Sequence, residues 1–444
     1  MILSLLVFIL FSNVALLCDV LGVFDSVVPI VLVSTPVFLT FVIFPSIRRF
    51  PQPKTRKIQR GVVLLVDFLI TCVADVIALS AYWIVYCSVL GERDYWNDAV
   101  IADIIIAIIA GNFIFWSGII RVYISSKQLG LRWRLIGIFC GMIPIAHLIV
   151  LGKIIGITSR EYKEEDARYK LNLSRKDDQI CKTKYPLLMV HGVFFRDFKF
   201  FNYWGRVPDD LIENGAVIYY GDQQSAASVD KCGQEIAAKI KMIVEQTGCG
   251  KVNIIAHSKG GLDSRCAITK YGCAPYVASL TTINTPHRGC QFADYLLNKA
   301  PQGLKDTVAG QYNAALRKAG DKDPDFIEAV TDLTYSACKA FNESCPDSPD
   351  VYYQSVGSNS VSSSGRRFPL NLSYHLVKYF DGPNDGLVAT PSMKWGDSFT
   401  YVTPLKNRGI THGDMIDLNR ENIDGFDVRE TYVKIVSDLK QKGF

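Results

Sequence analysis

The sequence is short of the residues from which metal centres and nucleic-acid surfaces are built. Its 444 residues include only six histidines, and none of its twelve cysteines falls in a C-x-x-C or clustered Cys/His spacing, which excludes the usual zinc arrangements. Charge of one sign is scarce too. A net charge of +5, not gathered into one stripe, argues against a phosphate-backbone partner and so against nucleic acid. No internal repeat and no transport motif is visible. The first apolar run, residues 2–22, has neither a basic start nor a small-x-small cleavage site, so it reads as a retained helix rather than a secretory signal.

Apolar residues are abundant, but unevenly placed. Residues 1–157 are dominated by Leu, Ile, Val, Phe and Ala, whereas 158–444 mix charge, Gly, Pro and Tyr as a soluble domain does. The length alone suggests at least two units. A helix crossing the hydrocarbon core needs about 20 apolar residues. Five stretches approach this, at 2–22, 27–46, 62–90, 100–123 and 135–156, and predict an all-α transmembrane bundle. Arg48, Arg49, Lys54, Arg56, Lys57 and Arg60 crowd the second loop, and Lys127, Arg132 and Arg134 the fourth. Basic loops stay in the cytoplasm. The loops around Asp25 and from Glu92 to Asp98 are acidic or nearly neutral, so five spans put the second domain on the extracytoplasmic side of a cell membrane. One helix more or fewer reverses that side.

Asp75, Asp103, Asn112 and His147 lie inside these stretches. Intramembrane polar groups are functional candidates, but scattered single residues first read as partners for neighbouring helices. Eight of the cysteines follow residue 157, an even number that permits disulfides in an exported domain, and Cys338 and Cys345 are the easiest pair to bridge.

Residues 158–180 are charged and lack apolar periodicity, as a juxtamembrane linker would. From 181 to 444, short β-branched runs alternate with helical patterns. Strands are predicted at Pro186–Val190, Ala216–Tyr220, Val252–Ala256, Ser279–Ile283, Val351–Val356 and Phe399–Val402. Asp230–Gln246 carries Ile236, Ala237, Ile240, Ile243 and Val244 at helical spacing. This alternation predicts an α/β domain with a mainly parallel sheet covered on both faces, and such sheets do their chemistry at the carboxyl ends of the strands.

Ala256-His257-Ser258-Lys259-Gly260 falls where one such strand turns into a helix. That is the setting of a nucleophile elbow, in which small residues two before and two after the serine let strand and helix backbones approach. An ordinary strand-to-helix turn can share the pattern. Serine needs a base to take its proton, and the base needs a carboxylate to hold its tautomer. The order expected for an elbow fold is serine, acid, histidine. His412, in Ile410-Thr411-His412-Gly413-Asp414, follows the last predicted strand, whereas His375 sits in an apolar run and reads as structural. Asp385, in Gly382-Pro383-Asn384-Asp385-Gly386, is the preferred acid and Asp381 the alternative, since Asx-Gly segments are also common in plain turns. The oxyanion donors expected are the backbone amides of Lys259 and of Val193, the latter in the loop after the first strand. His191, His257 and His287 receive no proton-transfer role.

Together these segments resemble the bacterial triacylglycerol lipases, the true lipases of the α/β-hydrolase superfamily. The likeness rests on Tyr185 to Gly192, Lys251 to Ser258, Asn284-Thr285-Pro286-His287-Arg288-Gly289, Asn384-Asp385-Gly386-Leu387-Val388 and Thr411-His412-Gly413-Asp414, in that order. It implies Ser258 as nucleophile, Asp385 as acid, His412 as base and a lipid ester as substrate. No cofactor is implied. Many members of that family hold a structural calcium through an aspartate two residues after the histidine, a position Asp414 matches; the residue four further on is Leu418, not an amide ligand. Residues 291–346 would form a cap over an acyl pocket, or an ordinary covering helix.

Hydrolysis of long-chain carboxylic esters through an acyl-enzyme is therefore the leading expectation. Phospholipid or thioester deacylation and acyl transfer fit the same residues, because the pocket selects the substrate. A non-catalytic membrane binding module, and a transporter or sensor carrying an accessory hydrolase, are readings of another class.

Overall fold

The computed structural model describes residues 2–46, 55–88, 96–141, 143–193, 202–318, 320–362, 370–403 and 408–444. They divide into two compact units, Met1–Leu173 and Ser174–Phe444.

The first unit is helical: α1 (Ile2–Ser12), α2 (Val14–Val20), α3 (Val27–Ile43), α4 (Arg56–Ser88), α5 (Asp98–Ser125), α6 (Gly130–Cys140) and α7 (Pro144–Ser174). Three helices among the described residues are long and apolar enough to cross a membrane, ending at Ile43, Tyr86 and Ser125. The pair α1 and α2, bent by 65°, would make a fourth. The expected fifth span is not one helix. The chain breaks after Cys140, and Pro144, which lacks an amide hydrogen, opens the next helix where that hydrogen is not needed. That helix then runs on to Ser174, so most of the charged 158–180 stretch is helix rather than linker. Arg48, Arg49, Lys54 and most of the Glu92 to Asp98 loop lie outside the described residues.

Close packing of α4 on α5 depends on glycine. A Cβ on Gly61 would meet Val122 Cγ1 at 2.8 Å, and one on Gly118 would meet Leu65 Cδ2 at 2.9 Å. Polar pairs tie the first segment to these two helices. Ser12 Oγ and Asn13 Nδ2 each donate to Asp75 Oδ1 at 2.7 Å, and the Leu16 amide donates to Asp103 Oδ1 at 3.3 Å, so both acids have the neighbouring-helix partners expected of them.

The second unit is built on six parallel strands: β1 (Leu187–Val190), β2 (Ile218–Tyr220), β3 (Val252–His257), β4 (Val277–Ile283), β5 (Tyr352–Ser358) and β6 (Ser398–Val402), in the order β2-β1-β3-β4-β5-β6. All six coincide with the predicted runs to within two residues. The strands β1, β3 and β4 are buried throughout because helices cover both faces. Leu187 and Met189 join α8 (Val207–Glu213) and the C-terminal helix on one side. Leu188 and Val190 join α9 (Val229–Thr247) and α10 (Lys259–Thr269) on the other. Helix α9 starts where the Ser228 side chain accepts the Lys231 amide and ends at Gly248, whose φ of +67° suits glycine.

The described residues of 291–346 form not one covering helix but four helices, α11 (Gln291–Lys299), α12 (Gln302–Lys318), α13 (Phe326–Thr331) and α14 (Tyr335–Ser344). They are followed by α15 (Leu370–Asp381), α16 (Thr390–Met393) and α17 (Val428–Gln441). Cys338 and Cys345, the pair easiest to bridge by spacing, are not joined. Cys338 lies near the start of α14 and Cys345 caps its end, about 10 Å of helical rise apart, whereas a disulfide needs Cα atoms within about 7 Å. Both are buried free thiols.

Candidate active site

The fully buried strand β3 delivers Ser258 to its carboxyl end, and α10 starts at the next residue. Ser258 has φ +56° and ψ −132°, a backbone region that non-glycine residues avoid, so the turn is strained where the elbow needs it. Its amide donates to Ile283 O at 2.9 Å, which fixes the turn to the end of β4. The requirement for small residues has a direct cause. A Cβ on Gly260 would lie 2.4 Å from His191 O, and one on Gly192 would lie 2.8 Å from Ser258 Cβ.

His412 and Asp385, far apart in sequence, meet through two bonds. His412 Nδ1 donates to Asp385 Oδ2 at 2.7 Å, and the His412 amide donates to Asp385 O at 3.0 Å. Asp385 is fully buried and saturated. Its Oδ1 accepts the Leu387 and Val388 amides at 2.9 and 2.8 Å, and its Oδ2 accepts Asn284 Nδ2 at 2.7 Å. Sequence reasoning passed over Asn284. It follows β4 directly, has φ +48°, and also donates to Ser358 Oγ at 2.7 Å. Its place at a strand's carboxyl end was the available signal.

The His412 ring lies 4.5 Å, centre to centre, from that of His257, the residue before Ser258. The Ser258 hydroxyl has no hydrogen-bond partner among the described residues, as is common where a catalytic bond tightens only with substrate bound. Burial holds His257 well below the ordinary histidine value, and the facing His412 adds to this. His257 is therefore neutral. Tyr203 Oη accepts the Gly192 amide at 3.0 Å and so turns its own hydrogen to His257 Nδ1, 2.7 Å away. That bond removes the Gly192 amide from any oxyanion role. The amides of Val193 and Lys259, the two expected donors, have no partner among the described residues. The Lys259 side chain turns into the interior and donates to Asp263 Oδ1 at 2.6 Å. Burial is the largest influence and opposes its charge, but Asp263 and Cys232 together more than offset it and hold the ammonium above its ordinary value.

The other candidates have structural partners. Asp381 accepts the Gln291 and Phe292 amides at the start of α11, and His375 is exposed on α15. His191 bridges Gly192 O and Gln223 O, while His287 bonds Thr282 Oγ1 and stacks on Trp395.

Asp414 is held by a guanidinium. Arg408 reaches its two oxygens at 3.0 and 3.3 Å, and the Thr411 amide donates to it at 2.8 Å. Asp417 is taken in the same two-pronged way by Arg206, at 2.7 and 2.8 Å. Among the described residues no group of three His, Cys, Asp or Glu side chains could hold a metal ion. A carboxylate already neutralised by arginine, without companion ligands, does not fit calcium.

No family model matches the chain. It is 36% identical over 183 residues to triacylglycerol lipases of Pseudarthrobacter phenanthrenivorans and Burkholderia plantarii, covering 38% of this chain and 56% and 50% of theirs. The chain thus spans about half the length of these two relatives. It is 28% identical to triacylglycerol lipase 2 of Saccharomyces cerevisiae over 69% of this chain and 91% of that one. The chain is thus similar to triacylglycerol lipases. A solved lipase of Bacillus licheniformis, in its mature form, aligns over 57% of this chain and 92% of its own, with 22% identity and a TM-score of 0.43. In the second unit the elbow, the His412–Asp385 pair and the two unengaged amides all gather at the carboxyl ends of the parallel strands.

Proposed function

We propose that the chain is a membrane-anchored serine carboxylic-ester hydrolase that acts on lipid esters, triacylglycerols among them, through an acyl-enzyme on Ser258. The observation that carries this reading is the buried His412–Asp385 pair, joined at 2.7 Å, beside a strained Ser258. His412 Nε2 takes the proton of Ser258 as Oγ attacks the ester carbonyl. Asp385 keeps Nδ1 protonated and stabilises the imidazolium. The amides of Val193 and Lys259 receive the oxyanion. The alkoxide leaves with the proton from His412, and a water activated by the same histidine releases the acid and frees the serine.

The names of the relatives support a lipid ester, and the apolar helices support a membrane setting. Sidedness follows from α4 and α5 taken as the last two crossings. With Arg56, Lys57 and Arg60 at the start of α4 in the cytoplasm, the chain returns there after α5, where Lys127, Arg132 and Arg134 follow. The hydrolase unit then faces the cytoplasm, opposite to the side implied by five spans. The eight free thiols of that unit support a reducing compartment.

The test is acid release from esters of increasing chain length by the full chain in membranes, beside Ser258→Ala. Loss of about a millionfold in kcat is expected of a triad serine. Equal rates for the two proteins on every ester would overturn the reading. Protease digestion of sealed, right-side-out vesicles should leave the hydrolase unit intact, and its cleavage would reverse the sidedness.

A further inference from the structure

The first unit contains two adjoining cavities that share Phe115, Trp116 and His147 as walls. The larger, about 510 Å³, runs between α5, α6 and α7 and is lined almost wholly by apolar side chains such as Ile120, Ile138 and Ile154. The smaller, about 460 Å³, lies between α4 and α5 and contains Asp75, Asn112 and His147. From Asn112 to Ile124 along α5 the two together extend about 18 Å at 1.5 Å per residue, the length of a long acyl chain with its head at one end.

The polar end is rich in acceptors. Asp75 Oδ1 is occupied by Ser12 and Asn13, which leaves Oδ2 without a partner among the described residues. Asn112 Nδ2 donates one hydrogen to Ile108 O at 2.8 Å, leaving its second hydrogen and Oδ1. His147 Nδ1 lies 3.0 Å from Gly141 O, a carbonyl that can only accept, so Nδ1 carries the hydrogen and Nε2 presents a lone pair. Acceptors on three residues that line one cavity, beside a spare Asn112 hydrogen and the Cys72 thiol, call for a head group that both donates and accepts, as a hydroxyl does. A carboxylate or phosphate would add acceptors and repel Asp75. A neutral head is also the one that enters an apolar span without shedding the hydration of a charge.

We propose that this groove binds a neutral glyceride with free hydroxyls, its chain along α5 and its glycerol at Asp75, Asn112 and His147. The inference deepens the lipid-ester reading, since partial glycerides are what such hydrolysis consumes and leaves, but its test uses no ester cleavage. An ether-linked hexadecylglycerol brominated at the chain end, which no serine hydrolase can cut, is titrated into the full-length Ser258→Ala protein in detergent micelles. Quenching of tryptophan fluorescence is the readout, and Trp116→Phe removes the saturable component. Saturable quenching is expected, at least about tenfold tighter than by brominated palmitate. Asn112→Leu, whose side chain bonds only its own helix, should weaken it about tenfold with thermal unfolding unchanged, and Asp75→Asn should weaken it too. Quenching that never saturates and is alike for every amphiphile would mean ordinary surrounding lipid. Tighter binding of hexadecylamine, or indifference to Asn112→Leu in a folded protein, would also overturn the proposal.

Discussion

Replacing Asn284 by glycine isolates one bond that holds Asp385, the proposed acid. Glycine accepts the φ of +48° at this position without strain, so the change removes the side chain and leaves the turn. Asp385 then keeps three of its four side-chain donors, the Leu387 and Val388 amides on Oδ1 and His412 on Oδ2. It loses the 2.7 Å bond that opposes rotation of Oδ2 away from His412. A hydrogen bond to a charged acceptor contributes about 1.5–3 kcal/mol, and if that support is expressed wholly as the imidazolium forms, kcat falls roughly 10- to 150-fold at 1.36 kcal/mol per tenfold. Asn284 is fully buried and forms no part of a substrate surface, so KM should hold. The assay is steady-state hydrolysis of a soluble short-chain ester in detergent, with thermal unfolding as a control. A kcat within twofold of wild type, in a folded protein, would refute the assignment of Asn284 as the residue that positions the acid.

Gly192→Ala would force a Cβ to within 2.8 Å of Ser258 Cβ and 2.9 Å of Tyr203 Oη; displacement of the oxyanion loop should cost about a hundredfold in kcat, read beside an unfolding curve. Burial holds both His257 and His287 well below the ordinary value of 6.5, so each is neutral when folded and protonated when unfolded in acid. Stability is therefore fully present above about pH 6.5 and should fall as pH drops, by about 1.4 kcal/mol per unit for each histidine, measurable by denaturant unfolding between pH 7 and 5. Chelation with EDTA should change neither activity nor unfolding. Arg408→Leu should cost about 2 kcal/mol, less than a fully buried pair because the guanidinium is partly exposed while Asp414 is left buried and unmatched; loss of activity to EDTA in the wild type would reverse this reading of Asp414.

Local pattern carried the sheet. Runs such as Leu187 to Val190 are apolar at every position because helices cover both faces, and that signal survives without knowledge of strand order. Ser258 was legible for a related reason: an elbow compresses strand, nucleophile and helix start into a few neighbouring residues. His412 and Asp385 could be ordered along the chain but not joined. Their 2.7 Å bond exists only after β5 and β6 are laid beside β4.

What the sequence hid was set by partners distant in the chain. Asn284 reads as one more Asx at a strand end until Asp385, 101 residues on, arrives at its amide. Asp414 reads as a metal ligand until Arg408 folds back onto it, and Arg206, more than 200 residues earlier, repeats the arrangement on Asp417. The charged helix through Ser174 lacked the apolar stripe by which a helix is usually recognised, and the Cys338–Cys345 spacing, close along the chain, did not show that a helix holds the two thiols apart. In each case side-chain chemistry was legible and its direction was not. The same holds at Asp75, where Ser12 and Asn13 explain one carboxylate oxygen and the other, facing an acceptor-lined cavity, is the part that packing alone leaves unexplained.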